Sequence, residues 1–124
     1  MTETTETTER DLDAHSRLTR AIMLALGART DLKIWVCNAG KFRSQDGRRV
    51  IQGLPNGHPD LSGFLKGGVW FGLEAKTGNA RQNKDQRTWQ TQAALLGARY
   101  AVVRSVADAE EVVWGWLQGL KGAA

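Results

Sequence analysis

Two acidic residues and a lysine, placed around a short turn, are the side chains of this sequence best suited to chemistry. Asp60 lies before the turn and Glu74 and Lys76 lie after it, with Lys66-Gly67-Gly68 between them. If residues 66–68 form the loop of a hairpin, Asp60 lies directly opposite Glu74, and directly opposed residues have Cβ atoms roughly 4.5–5.5 Å apart. Two carboxylates at that distance repel each other unless a cation lies between them. A hard divalent ion relieves that repulsion, so the spacing predicts a metal site.

Lys76 is predicted to belong to the same site. It lies two residues after Glu74 on one strand, so the two side chains share a face. An ammonium beside a metal-bound water and a phosphate can orient the nucleophile and stabilise charge in the transition state. Phe71, Leu73 and Ala75 alternate with these polar positions and are predicted to face a core.

Two alternatives stay open at this stage. A two-residue turn would place Asp60 opposite Ala75 and move the carboxylates out of direct opposition. Asp60, which follows a proline, can also simply cap a turn, and Glu74 and Lys76 can be solvated charges on an exposed strand. The three residues taken together favour the catalytic interpretation.

Periodicity and breakers predict the order α-β-(loop)-β-β-α-β-α for the elements that position these residues. The predicted fold is an α/β domain with a mixed central sheet flanked by helices. The predicted elements are a helix from about Asp11 to Leu26, strands at Lys33 to Cys37, Pro59 to Leu65 and Val69 to Lys76, a helix from Arg81 to Leu96, a strand at Arg99 to Arg104, and a helix from Asp108 to Leu120.

The segment from Asn38 to His58 is predicted to be a long basic loop, with a short hairpin around Asp46-Gly47. Its cations are either solvated or contact phosphate, and their density beside the predicted site favours phosphate contact. The predicted DNA-binding residues are Lys41, Arg43, Arg48, Arg49, Arg81 and Lys84.

Charge and composition agree with a polyanionic partner and exclude some other classes. The net charge is +4 although five acids stand within the first thirteen residues, so the remaining chain is strongly basic. Residues 1–8 are rich in Thr and Glu and are predicted to be a disordered lead, or at most a lead-in to the first helix, with one domain over 9–124. Cys37 is the only cysteine, which excludes an intramolecular disulfide and a cysteine-rich zinc site. No secretion signal or membrane-spanning run is recognisable, so we expect a cytoplasmic protein.

Four segments together resemble a known family of nucleases. They are Asn56-Gly57-His58-Pro59-Asp60-Leu61, Phe71-Gly72-Leu73-Glu74-Ala75-Lys76, the pair Gln86 and Trp89, and Tyr100-Ala101-Val102-Val103-Arg104-Ser105-Val106. Over about residues 12 to 108 the chain resembles a VRR-NUC domain of the PD-(D/E)xK nuclease superfamily. The resemblance implies a restriction-endonuclease-like αβββαβ core, which the predicted element order matches provided that the segment from Asn38 to His58 supplies no extra strand.

The same resemblance implies roles for single residues. Asp60, Glu74 and the carbonyl of Ala75 would bind Mg²⁺ or Mn²⁺, Lys76 would be the catalytic lysine, and Gln86 would support the attacking water or the phosphate. The family usually has a glutamate on its first helix, where this chain has His15. His15 is therefore a candidate site position, although a histidine on the helix surface is the simpler interpretation, and Asp11, one turn earlier, is a possible substitute.

The sequence therefore predicts a metal-dependent deoxyribonuclease. Small stand-alone, phage-type members of the family are associated with branched DNA such as Holliday junctions and act as dimers. The resemblance therefore implies a junction-cleaving homodimer without membrane attachment, from a bacterial host cell or encoded by a phage. One alternative is a nuclease that nicks single strands or flaps without junction selectivity. The other alternative is a DNA-binding module that keeps the fold and has lost catalysis. This alternative stays open because His15 stands where the family usually has a glutamate.

Overall fold

The computed structural model of the chain describes residues 2–38 and 41–122, and side chains from residue 13 onward except those of residues 41 and 42. In chain order the elements are α1 (Thr2–Gly27), β1 (Leu32–Val36), β2 (Lys41–Arg43), β3 (Val50–Gln52), β4 (Leu61–Leu65), β5 (Val69–Ala75), α2 (Lys84–Leu95), β6 (Arg99–Val103) and α3 (Val106–Gly122).

Four of the strands form one open, mixed sheet in the order β1-β4-β5-β6. Strand β4 pairs antiparallel with β1 and with β5, whereas β6 runs parallel to β5. The parallel pair requires a crossover, which α2 provides between β5 and β6. The predicted α/β domain with a mixed sheet flanked by helices is confirmed at this level.

The core lies between one face of the sheet and the two terminal helices. Phe71, Leu73 and Ala75 are fully buried on this face, as their alternation predicts. They pack in one cluster with Ile22 of α1 and Val113 of α3. This packing holds α1 against the sheet and therefore positions the α1 side chains that lie near the sheet, such as His15.

The opposite face of the sheet needs glycine where the backbone lies close to its neighbours. A Cβ at Gly72 would lie 2.3 Å from Cγ of Pro59, so the proline packs directly over the strand. By contrast, Gly63 pairs with Phe71 and therefore lies on the core face, where a Cβ would lie 1.8 Å from the carbonyl oxygen of Lys33 on β1. Pro59 is itself buried and directly precedes Asp60, so the contact with Gly72 helps to position that carboxylate.

The predicted basic loop contains a small antiparallel ribbon, formed by β2 and β3 with Arg43 paired to Val50. Gly47 lies in its turn with a φ of 71°, a conformation that glycine adopts without a steric penalty. The hairpin predicted around Asp46-Gly47 is confirmed, and the ribbon adds two strands to the predicted order.

The first helix is longer at its N-terminal end than predicted, since it begins at Thr2 rather than near Asp11. Residues 2–8 are therefore part of the helix backbone. Glutamates favour this, because they have good helix propensity and a negative charge near a helix N-terminus is stabilised by the helix dipole. Among the residues that the structure describes, no helix has the length and apolar character required to cross a membrane.

Candidate functional site

The register of the central hairpin brings the two predicted carboxylates together. Leu61 pairs with Leu73 and Leu65 pairs with Val69, so residues 66–68 form the loop. Continuing this register by one residue places Asp60 opposite Glu74, as the spacing predicts. The alternative of a two-residue turn is excluded.

Asp60 is held in place from three directions. Its Oδ2 accepts a hydrogen bond from the backbone N–H of Ala75 at 2.9 Å. The same oxygen lies 3.1 Å from Nε2 of His15 on α1. Its backbone carbonyl accepts from the N–H of Cys37 at 2.8 Å, directly after β1. The carboxylate is thus fixed relative to β5, α1 and β1 while its side chain remains one-quarter exposed.

Glu74 is the more deeply buried of the two acids, with 2% of its surface exposed. Its pKa is raised to about 9, chiefly by burial and then by a hydrogen bond and charge repulsion from Asp60, while the Lys76 ammonium acts in the opposite direction. Its Oε2 is buried and has no hydrogen-bond partner among the described residues. The neutral form is therefore favoured when only protein atoms surround the pair.

Lys76 lies directly after β5, where its backbone N–H donates to the carbonyl of Val103 at 3.0 Å. Its half-buried side chain is close enough to lower the pKa of Glu74. Within the described part of the chain its ammonium forms no ion pair or hydrogen bond. The cation is thus beside the carboxyl pair and is available to a ligand.

His15 occupies the position on the first helix that the sequence identified as a candidate. One turn later, Thr19 is buried and its hydroxyl donates to the carbonyl of His15 at 3.0 Å. Because its imidazole contacts Asp60, His15 is more than a surface residue of the helix. Asp11, the alternative acid, lies among the residues whose side chains are not described.

Tyr100 belongs to this site and was missed by the sequence analysis. Strand β6 pairs Tyr100 with Gly72, which places its ring on the face that carries Glu74. The pKa of the Tyr100 phenol is raised to about 12, chiefly by burial and to a smaller extent by the charges of Glu74 and Asp60, against the effect of a hydrogen bond from Gln82. Its hydroxyl accepts a hydrogen bond from Nε2 of Gln82 at 3.2 Å. Only the parallel register reveals this position, because nothing local in the sequence specifies it.

The donor set fits a hard divalent cation held by few protein ligands. Among described residues, no three His, Cys, Asp or Glu side chains form a metal-binding group, so the candidates are the carboxylates of Asp60 and Glu74. The partnerless Oε2 of Glu74 offers an oxygen ligand. The carbonyl of Ala75 faces the same side as its N–H, which contacts Asp60. Mg²⁺ commonly takes one or two carboxylates and fills its other positions with water and substrate phosphate.

A groove of about 660 Å³ leads to the exposed side of Asp60. Its walls are α1, with His15 and Arg20, and the end of β1, with Cys37 and Asn38. The guanidinium of Arg20 is exposed, whereas Asp60 lies deeper. A polyanionic chain in this groove would reach the carboxyl pair from the side of α1.

Gln86 has a clear local role at the start of α2. Its Oε1 accepts from the backbone N–H of Asn83 at 2.9 Å, and its own N–H donates to Oδ1 of Asn83 at 2.9 Å. This reciprocal capping box satisfies two N–H groups at the helix start. No described contact joins the Gln86 side chain to Asp60 or Glu74, so its predicted catalytic role stays a prediction.

The predicted DNA-binding cations are exposed in two separate regions. Arg43, Arg48 and Arg49 lie on the β2–β3 ribbon, and Arg81 and Lys84 lie at the start of α2. The Lys41 side chain is outside the described residues. The ribbon begins and ends next to the site. The backbone N–H of Leu54, after β3, donates to the carbonyl of Asn38 at 3.1 Å, and Asn38 directly follows Cys37, whose N–H donates to Asp60.

No family model, curated protein or solved structure matches this chain. The resemblance to VRR-NUC nucleases thus stays a prediction. The residues to which the resemblance gives a role in the site include Asp60, Glu74, Ala75 and His15. The contacts described above bring these four together, and Lys76 lies beside them.

Proposed function

We propose that this chain is a Mg²⁺- or Mn²⁺-dependent DNA endonuclease that hydrolyses phosphodiester bonds. The observation that carries the proposal is the pair of carboxyl groups of Asp60 and Glu74, which meet across the β4–β5 hairpin with the Lys76 ammonium beside them. One buried carboxyl oxygen has no partner among the described residues. Such a pair suits a divalent cation far better than it suits a structural role.

The side chains of this site divide the work of hydrolysis between them. Asp60, oriented by the Ala75 N–H and by His15, and Glu74 would hold the cation. When bound, Mg²⁺ supplies Lewis acidity and lowers the pKa of coordinated water. Lys76 carries a free ammonium that orients the nucleophile or neutralises charge on the phosphate in the transition state.

The element order supports a restriction-endonuclease-like core. The middle segment does supply two strands, contrary to the condition set by the sequence, but β2 and β3 form a sheet of their own. Without them and the last helix, the chain reads α1-β1-β4-β5-α2-β6. This is the αβββαβ order that the PD-(D/E)xK resemblance implies. The predicted active residues lie in β5 and directly beside β4 and β5, so the rigid centre of the sheet positions them.

Branched DNA is the proposed substrate, and a homodimer is the proposed active form. Exposed cations on the β2–β3 ribbon and at the start of α2 favour contact with more than one stretch of phosphate backbone. Trp114 on α3 is 57% exposed, which makes the last helix the candidate dimer surface. A two-fold dimer would match the two-fold symmetry of a four-way junction.

A cleavage panel tests this function. A four-way junction, a flap, a linear duplex and a single strand of shared sequence are incubated with Mg²⁺ or Mn²⁺ and either wild-type protein or Glu74→Ala. We expect the wild type to cut the junction best, and Glu74→Ala to lose at least 100-fold of the rate. Asp13→Ala removes an exposed carboxylate on α1, away from both the carboxyl pair and the candidate dimer surface; it is the control and should cut like the wild type.

The outcomes separate the candidates. Equal cleavage by wild type and Glu74→Ala would show that the site is wrongly assigned. Equal rates on flap and junction would favour a nuclease without junction selectivity. If both proteins bind DNA and neither cuts it, the DNA-binding module is favoured. The structural argument for that module is the contact between His15 and Asp60, because it places a nitrogen where the family usually has an acid.

A further inference from the structure

A second pocket, distinct from the groove at Asp60, lies between α2 and the sheet. Its volume is about 430 Å³, within the range of small-molecule pockets. Three aromatic rings line it, those of His58, Trp70 and Trp89. Leu96 is 86% exposed and lies at its rim beside Gln92. Among the side chains that the structure describes, no lysine, arginine or acid lines this pocket, although the protein as a whole is basic.

The three rings form one contiguous aromatic surface. The ring centroids of His58 and Trp89 are 4.8 Å apart, those of His58 and Trp70 5.9 Å, and those of the two tryptophans 6.3 Å. The rings are tilted against each other rather than stacked in parallel. Faces that no neighbour covers can therefore take a flat π-system.

One of the lining residues, Trp89, carries a donor that is buried and unsatisfied. Nε1 of Trp89 is buried and has no hydrogen-bond acceptor among the described residues. A buried N–H without an acceptor is unfavourable, and an aliphatic occupant would leave it so. A flat occupant whose edge carries acceptor atoms would satisfy it once the rings adjust, and every nucleobase has such an edge.

The position of the pocket connects it to the carboxyl pair. Trp70 and Glu74 lie on the same face of β5, four residues apart, which is roughly 13 Å along a strand. His58 lies two residues before Asp60, and Pro59 between them packs over Gly72. The pocket and the site are thus two ends of one surface, separated by a proline ring.

We propose that this pocket binds one unpaired nucleobase of the DNA substrate. The inference rests on the proposed nuclease function and narrows its substrate to DNA with an unstacked base close to the scissile phosphate, as at a branch or a flap. The uncharged lining accepts the neutral base, and the cations elsewhere on the protein contact the phosphates. Stacking on aromatic side chains tolerates any base, so the pocket would recognise DNA shape rather than sequence.

An abasic scan tests the proposal. Flap DNAs that differ only in the position of one abasic nucleotide, moved stepwise across the branch, are bound in EDTA and followed by fluorescence anisotropy. We expect wild-type affinity to fall about tenfold at one or two adjacent positions and to be unchanged elsewhere. If the affinity is the same at every abasic position, the proposal fails. This test needs only the wild-type protein.

Two variants with a matched change locate the effect. Leu96→Glu places a charge at the rim, and Leu24→Glu changes a leucine on α1 that is 75% exposed. Leu96→Glu should bind the parent flap about tenfold more weakly and lose the position dependence, whereas Leu24→Glu should match the wild type. If Leu96→Glu instead dissociates a dimer in sedimentation velocity and keeps the abasic profile, the pocket is a contact between copies and the proposal fails.

The same measurements separate this proposal from the nuclease itself. Because binding is measured without metal, a position-dependent abasic effect in a protein that cuts no DNA would support the pocket and contradict the nuclease. Cleavage that depends on Glu74 with a flat abasic profile would support the nuclease and contradict the pocket.

Discussion

At the scale of single residues, the site is an electrostatic conflict that the protein alone resolves only by protonation. Glu74 is buried next to Asp60, and only Lys76 opposes the added negative charge. His15 and the Ala75 N–H bond to Asp60 rather than to Glu74. The protein therefore keeps Asp60 oriented and leaves one buried oxygen of Glu74, Oε2, without a hydrogen-bond partner among the described residues. A divalent cation would complete this arrangement.

The first prediction concerns stability against pH. The folded pKa of Glu74, about 9, lies above its ordinary value of 4.5, so folding favours the protonated form. Its contribution to stability is fully present below pH 4.5 and is lost as the pH rises towards 9. In EDTA, the melting temperature of the wild type should therefore fall relative to that of Glu74→Gln over this range, as measured by circular dichroism.

Metal should reverse this loss, because a bound cation stabilises the ionised carboxylates. Millimolar Mg²⁺ should raise the melting temperature of the wild type more at pH 8.5 than at pH 5.5, and should leave Glu74→Gln nearly unchanged. Parallel melting curves for the two proteins in EDTA, or an equal Mg²⁺ effect on both, would contradict the assignment of Glu74 as a ligand.

The second prediction concerns His15. The change His15→Glu adds a third carboxylate beside Asp60, and carboxylate oxygens are the ligands that Mg²⁺ and Mn²⁺ prefer. We expect Mn²⁺ affinity to rise about tenfold in calorimetric titration, while the metal-free protein melts at a lower temperature because three acids repel each other. Ser16→Glu, on an exposed neighbouring position, should change neither value by a comparable amount.

At the scale of elements, the sequence specified what local patterns can specify. Strict alternation from Trp70 to Glu74 predicted which side chains face the core, and the loop at residues 66–68 predicted the register. Together they determined that Asp60 and Glu74 meet. The parallel partner of β5 and the packing of α1 depend on contacts distant in sequence, so the positions of Tyr100 and His15 required the structure. The capping role of Gln86 was equally undecided before the geometry of α2 was known.

The third prediction tests the close packing of Pro59 on the hairpin. A Cβ at Gly72 would overlap the Pro59 ring at 2.3 Å, so Gly72→Ala should displace the residue before Asp60. We expect a loss of stability of about 1–3 kcal/mol from overpacking and slower cleavage. Gly27→Ala, at the end of α1 with no atom within 4 Å and no positive φ, should instead gain about 0.4–1 kcal/mol and cut normally. Urea unfolding and initial cleavage rates give both values.

At the scale of the whole molecule, charge is distributed unevenly along the chain. Sixteen of the seventeen lysines and arginines but only eight of the thirteen acids come after Asp13, so this part of the chain carries a net charge of +8. Its β2–β3 ribbon leaves the sheet where Cys37 bonds to Asp60. A polyanion drawn to the basic body would therefore meet the ribbon and the carboxyl pair on neighbouring surfaces.

The fourth prediction follows from that placement. Each arginine that contacts a phosphate releases about 0.9 counterion on duplex DNA, so replacing Arg43, Arg48 and Arg49 by alanine should flatten the plot of log affinity against log salt by up to about 2.7. The charge-matched control replaces three exposed lysines at the other end of the sheet. These are Lys33, Lys66 and Lys121. Anisotropy titrations between about 50 and 200 mM salt measure both slopes. If the two triple variants have the same slope, net charge alone attracts the DNA and the ribbon is a solvated surface. A lower slope for the ribbon variant alone places the phosphate backbone beside Asp60.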